Sequence, residues 1–221
     1  MIISKIKKIA KGIVLENEPM SRHTSYGIGG EVSAYITPFD RDDLIRIIKL
    51  INKNNSKLYI IGSGSNLLVN DKNISAVFIT PAKALKSLNI EKNIIIADSG
   101  VMLGKIVKES IKHKLTGLES LVGVPGTLGG ALMMNAGAFG YEISNYLVSV
   151  EVITNNGNQK TDLNYKDGVL NGSQKEWYEN GQKKEERTFK DGKRDGLRTL
   201  WSQNGEKTLK LIYKNDERWS G

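Results

Sequence analysis

Six glycines fall within the eighteen residues from Gly123 to Gly140, in the runs Gly123-Val124-Pro125-Gly126-Thr127-Leu128-Gly129-Gly130 and Asn135-Ala136-Gly137-Ala138-Phe139-Gly140. Positions without side chains let backbone approach a large flat ligand closely. So dense a run would cost much conformational entropy if it only joined two elements. A shorter loop, Gly62-Ser63-Gly64-Ser65-Asn66, offers main-chain N–H groups, two hydroxyls and an amide. That donor set suits a pyrophosphate where no lysine is present. The loop is neither a Walker loop, which needs Gly-Lys-Ser/Thr, nor the spaced Gly-x-Gly-x-x-Gly fingerprint, and a plain turn is its alternative reading. The chain has no cysteine, which removes a disulfide framework, a thiolate zinc site and a cysteine nucleophile. Its two histidines, His23 and His113, are too far apart in sequence for a recognisable metal motif.

The elements that must position these loops read as a mixed α/β pattern. Val32 to Ile36 reads as a strand. Asp40 can cap a helix with Leu44, Ile45, Ile47, Ile48 and Ile51 on one face, and Leu58 to Ile61 is a second strand ending abruptly in the short glycine loop. Further strands are expected at Val77 to Thr80, Ile94 to Ala97 and Val148 to Thr154, with a helix from Met102 to Lys112. Ile2, Ile3, Ile6, Ile9 and Ile13 fall at helical spacing, a packing stripe across residues 1 to 14.

With 221 residues, 39% hydrophobic and 25% charged, the chain has the composition of a globular protein of one large domain or two small ones. No stretch approaches the roughly 18 apolar residues of a membrane helix, and the N-terminus alternates Ile with Lys, so no membrane span and a cytoplasmic location are expected. The net charge of +8 is spread among acids without a basic block or interleaved aromatics, which argues against nucleic acid.

Charge density changes along the chain. Residues 1 to 161 hold 19 basic and 13 acidic residues, and residues 162 to 221 hold 13 and 11, so the density doubles and marks a domain boundary there. Beyond it the sequence repeats every 24 residues. Lys166-Asp167-Gly168 returns as Lys190-Asp191-Gly192, Gly172 as Gly196, Trp177 as Trp201, and Asn180-Gly181 as Asn204-Gly205, with a third copy opening at Tyr213. Asp-Gly and Asn-Gly supply the positive-φ positions of tight hairpins while Trp and Tyr suit a half-buried pleat, so this part reads as a small all-β meander with Trp177, Tyr178 and Trp201 as its core. It resembles variant MORN-type repeats, a family linked to interaction roles. This leaves open a reading in which the repeats form a protein-interaction module and bind a protein partner.

Arg22-His23-Thr24-Ser25-Tyr26-Gly27-Ile28-Gly29-Gly30, the Ile61 to Leu68 loop, and Gly117-Leu118-Glu119 leading into Val124 to Gly140 together resemble the N-terminal FAD-binding region of the UDP-N-acetylenolpyruvoylglucosamine reductases, also called UDP-N-acetylmuramate dehydrogenases, over about residues 17 to 161. The resemblance implies an α+β fold of the vanillyl-alcohol-oxidase-like type, a truncated two-subdomain FAD-binding domain over 1–161, followed by the repeats over 162–221. It implies FAD as cofactor and, for an active enzyme, NADPH as hydride donor and a UDP-sugar as substrate in peptidoglycan precursor synthesis. Carried over by motif, Gly62, Ser63, Gly64, Ser65, Asn66 and Leu67 would wrap the FAD pyrophosphate. Pro125, Gly126, Thr127, Gly129 and Gly130 would line the ribityl and isoalloxazine side, with Asn135, Ala136 and Gly137 completing that wall. Turn chemistry is the alternative for Asn66 and Asn135. Thr24 and Tyr26 are expected to be mainly structural, and Met133 and Met134 to be packing residues.

The family's catalytic serine, glutamate and arginine have no counterpart here. Near the expected arginine stands Tyr165-Lys166, which the 24-residue period claims, and lysine lacks the planar fork that grips a carboxylate. Ser173 and Ser202 read as surface residues of the repeats. No catalytic residue is assigned, and weak or absent reductase activity is expected. The flavin half would then end on an unpaired sheet edge, unless the first repeat strands add to it.

Overall fold

Why the N-terminal fold holds begins with Asp43. The computed structural model describes residues 2–153, 159–166, 169–178 and 180–219. Asp43 is fully buried, and its carboxylate accepts from the N–H groups of Lys11, Gly12 and Phe39 at 2.9 to 3.0 Å and from the Arg46 guanidinium at 3.0 Å. Burial opposes ionisation, but these four donors outweigh it and hold the Asp43 pKa below the ordinary carboxylate value. One charge thereby joins the turn after helix α1 (Ile2–Ile9) to the start of helix α2 (Arg41–Lys53). Asp40 caps α2 as the sequence implied, accepting from Asp43 N–H at 2.7 Å.

The chain forms two compact units, Met1–Ile143 and Ser144–Gly221. In the first, strands β1 (Ile13–Pro19), β2 (Glu31–Thr37), β3 (Leu58–Ile60) and β4 (Ile74–Ile79) make a sheet of order β1-β2-β4-β3. β1 is antiparallel to β2, while β2 and β3 both run parallel to β4. Buried Ala34, Ile36, Val77 and Ile79 pack with Ile6, Leu44, Ile47, Ile48 and Ile51 in one cluster. Tyr35, Ala76 and Phe78, which alternate with them along the strands, pack with Met20, Val32, Ile61 and Val69 in another. An irregularity between Val32 and Ala34 breaks strict alternation and sends Val32 to the Tyr35 side.

The N-terminal stripe is shorter than its isoleucine spacing implied. Helix α1 stops at Ile9, and Ile13 lies in β1 with 48% of its surface exposed. Gly12 is the reason: a Cβ there would sit 2.1 Å from the Thr37 carbonyl oxygen, so chain and strand meet where only glycine fits. Later in this unit come the hairpin β5 (Leu88–Glu91) and β6 (Ile94–Ala97), helices α3 (Leu103–Lys112) and α4 (Leu128–Met133), and the short pair β7 (Gly137–Ala138) and β8 (Tyr141–Glu142). Leu103, Val107, Leu121, Ala131 and Ile143 form their core.

The second unit is an antiparallel meander: β9 (Ser149–Ile153), β10 (Gln159–Lys166), β11 (Val169–Leu170), β12 (Gly172–Trp177), β13 (Lys183–Lys190), β14 (Lys193–Trp201), β15 (Lys207–Lys214) and β16 (Glu217–Arg218). The 24-residue period is visible in its geometry. Gly181 and Gly205 turn with φ of 83° and 85°, Gly172 and Gly196 with 96° and 113°, and register shifts recur before Trp177 and before Trp201. The Tyr178 hydroxyl donates to the Trp201 carbonyl at 2.7 Å. Ser173 and Ser202 are half-buried within the meander rather than fully on its surface. Thr154 and the Asp167-Gly168 turn lie outside the described residues. β9 pairs with β10, and β10 with β12. The last strand of the family-like region therefore continues into the repeat sheet.

Candidate functional site

The short glycine loop leaves β3 at its C-terminal end, where Ile61 N–H still donates to Ile79 at 2.9 Å. The long one enters α4. The two touch. The Ser65 hydroxyl donates to the Pro125 carbonyl at 3.2 Å, and a Cβ on Gly62 would lie 2.3 Å from Thr127 Oγ1. Gly126, at φ +135°, would bring a Cβ within 3.2 Å of Ser65 Oγ.

The long loop is laced to the segment before α3. Leu103 N–H donates to Gly126 at 2.9 Å, Leu128 N–H to Val101 at 2.7 Å and Gly129 N–H to Ser99 at 2.8 Å. Thr127, buried, caps α4 by accepting from Gly130 N–H at 3.4 Å. Asn135, Ala136 and Gly137 stand at the other end of α4. Asn135 has φ +46° and donates its side-chain amide to Glu142 at 2.5 Å. Gly137 pairs with Glu142 where a Cβ would meet the Tyr141 carbonyl at 2.3 Å. Asn135, Gly137 and Glu142, with Ala138, Gly140 and Tyr141, border an open depression of about 280 Å³.

The fold thus gathers Gly62, Ser63, Gly64 and Ser65 with Pro125, Gly126, Thr127, Gly129 and Gly130, and sets Asn135 to Gly137 apart across α4. Asn66 is exposed, and Leu67 packs against the cluster containing Tyr35. At Gly62, Gly64, Gly129 and Gly137 the atoms nearest a would-be Cβ belong to the protein, so these glycines first serve the approach of loop to loop. What the loop retains is a set of main-chain donors. Among the described residues, no protein group accepts from the N–H of Ser63, Gly64, Ser65 or Asn66, and no acidic side chain interrupts this run. That array of neutral donors fits a pyrophosphate.

Behind the loop lie residues that sequence patterns did not single out. The Thr80 hydroxyl is 3.5 Å from the Gly62 carbonyl oxygen and lies beside the Tyr35 phenol. His23 stacks on Tyr35 with ring centroids 3.7 Å apart, and its Nε2 lies 3.0 Å from Glu18. Burial pushes the Tyr35 phenol pKa up, against the Thr80 side chain and with the Glu18 charge adding to the rise. His23 belongs to the motif that carried the resemblance, but a lone threonine closing a strand carries no signal. Thr24 donates to the Ile28 carbonyl at 2.8 Å, a structural role, whereas Tyr26 is 63% exposed. Met133 and Met134 are not packed as expected: they are 85% and 61% exposed, because a six-residue helix buries one face and these lie at its end.

Among the described residues no group of three or more His, Cys, Asp or Glu side chains could hold a metal ion, and no helix is long and apolar enough to cross a membrane.

The chain is similar to known proteins in sequence and in fold. The FAD binding domain family model matches residues 32–162. The chain is 39% identical over 184 residues to the UDP-N-acetylenolpyruvoylglucosamine reductase of Caldanaerobacter subterraneus subsp. tengcongensis, covering 80% of this chain and 60% of the relative. To the enzyme of that name from Clostridium kluyveri it is 44% identical over 141 residues, covering 64% and 46%. The UDP-N-acetylenolpyruvylglucosamine reductase structure from Thermus caldophilus superposes with a TM-score of 0.52 at 28% identity, over 67% of this chain and 51% of that one. Berberine bridge enzyme from Eschscholzia californica superposes at 0.51 with 17% identity, over 72% and 36%, a likeness of fold alone. The chain spans about half of the length of these curated relatives.

Proposed function

Since this chain belongs to the FAD binding domain family, with residues 32–162 matching, we propose that its two joined glycine loops hold FAD in the manner of the UDP-N-acetylenolpyruvoylglucosamine reductases. The observation that carries the reading is the contact of Ser65 with Pro125 and of Gly62 with Thr127. It brings a row of unengaged N–H donors beside the loop that would face the flavin. Ser63, Gly64, Ser65 and Asn66 would bind the pyrophosphate. Pro125, Gly126, Thr127, Gly129 and Gly130 would line the neighbouring wall, and Asn135, Ala136 and Gly137 would flank the depression beyond α4. Bound FAD would supply a carrier that takes hydride from NADPH and passes it to an enolpyruvyl UDP-sugar.

The residues present support FAD binding more strongly than turnover. Near the place where the family resemblance implies an arginine stands Lys166, at the end of β10 and paired in register with Val169. We read the chain as a flavin binder of this family, working in the cytoplasm. Its sequence would divide into the flavin domain at 1–161 and variant MORN-type repeats at 162–221. A second reading, a protein-interaction role for the repeats, is favoured by the exposed Leu209, Ile212 and Trp219 at the end of the meander.

The test is direct. Purified protein is expected to show flavin absorbance, release FAD on heating and gain thermal stability from added FAD. A colourless protein that gains none would defeat the reading. NADPH oxidation that depends on the enolpyruvyl sugar nucleotide, at rates typical of the family, would overturn the expectation of inactivity.

A further inference from the structure

We propose that Thr80 is a positioning residue for the phosphate loop: with the Ser25 amide it holds two carbonyls of that loop inward, and so aims the N–H groups of Ser63 and Ser65 at the ligand. The inference rests on the reading of Gly62 to Asn66 as the pyrophosphate site.

The argument is one of peptide geometry. In a trans peptide the C=O and the following N–H point in opposite directions. The Gly62 carbonyl faces the Thr80 hydroxyl at 3.5 Å, so the Ser63 N–H faces away from it. The Gly64 carbonyl accepts from Ser25 N–H at 3.1 Å, so the Ser65 N–H is turned outward likewise. Two carbonyls anchored two residues apart leave two donors on the opposite side, an arrangement suited to an anion.

The Tyr35 phenol lies beside Thr80, and its ring stacks on His23, whose carbonyl would lie 1.9 Å from a Cβ on Gly64. The Glu18 carboxylate holds His23 from the far side at 3.0 Å. Thr80 is 6% exposed, and its own N–H donates to Ile36 at 3.0 Å, which fixes the hydroxyl on the end of β4. A buried hydroxyl facing the Gly62 carbonyl, behind a loop whose Ser63 and Ser65 N–H groups have no protein acceptor, is placed to act through that loop.

The experiment compares FAD dissociation constants by quenching of flavin fluorescence in the full chain, alongside thermal midpoints without FAD. Thr80→Val keeps the shape and removes the hydroxyl; about a tenfold weaker affinity is expected, the worth of one hydrogen bond. Thr80→Ser, which keeps the hydroxyl, is expected to restore affinity to within about threefold. Unchanged affinity in Thr80→Val, or equal losses in the Val and Ser variants, would overturn the inference while leaving the flavin site intact. Failure of the unaltered chain to bind FAD would defeat both readings, which separates the two failures. Should Thr80→Val not fold, Thr80→Ala compared with Thr80→Ser carries the test. An affinity loss of about threefold or more supports the proposal, and none overturns it.

Discussion

At Asp43, four donors converge on one buried carboxylate, and its depressed pKa has a definite consequence for stability. A carboxyl whose folded pKa lies below its unfolded value stabilises the fold at neutral pH. That contribution begins to be lost as pH falls below the ordinary value of 3.8 and is gone once pH has passed through the folded pKa. Asp43→Asn should therefore cost about 2 to 3 kcal/mol at pH 7, with the two proteins' denaturation midpoints converging as pH drops below about 4. Equal losses at pH 7 and pH 3 would show that packing, not charge, is at work. Residue by residue, Gly62, Gly64, Pro125 and Gly126 were legible because glycine-rich runs stand out against any background. Thr80 and Ser99 were not, since each meets the loops only after β4 has entered between β2 and β3, or the chain has turned before α3. Sequence spacing holds no trace of either event.

Elements were legible where their period was strong. The isoleucines of α2 and the Asn-Gly turns of the meander announced themselves, and both formed as read. β1 was hidden because its residues, Ile-Val-Leu-Glu-Asn-Glu-Pro, follow a helical stripe with Ile13 in phase, and only the close contact at Gly12 separates the two. The hairpin turns give a test at this level. Gly205 sits at φ +85° with open space limited by Gln182 at 3.1 Å. Gly205→Ala should cost about 1 to 2 kcal/mol from backbone conformation, and Gly181→Ala a similar amount because it occupies the same place 24 residues earlier at φ +83°. Urea unfolding of the two variants checks this. A loss at only one of them would mean that the copies are not equivalent.

On the scale of the molecule, the division of the fold and the change in composition do not coincide. Contacts separate at Ile143 and Ser144, whereas charge density shifts near residue 161. The difference arises because β9, from the region resembling flavin proteins, takes β10 as its ladder partner, with Val152 opposite Thr161 and Val150 opposite Leu163. Native-state hydrogen exchange should then find Val150 and Val152 opening together with β12 and β13, with comparable protection free energies. Exchange in step with α3 instead would sink the idea.

That shared ladder also bears on how such a chain changes over generations. A deletion removing the repetitive tail would strip β9 of its neighbour and bare a row of amides and carbonyls, so it carries a penalty felt upstream of the cut. Loss of the one stretch would thereby weaken the strand before it, through the ladder of hydrogen bonds that the two share.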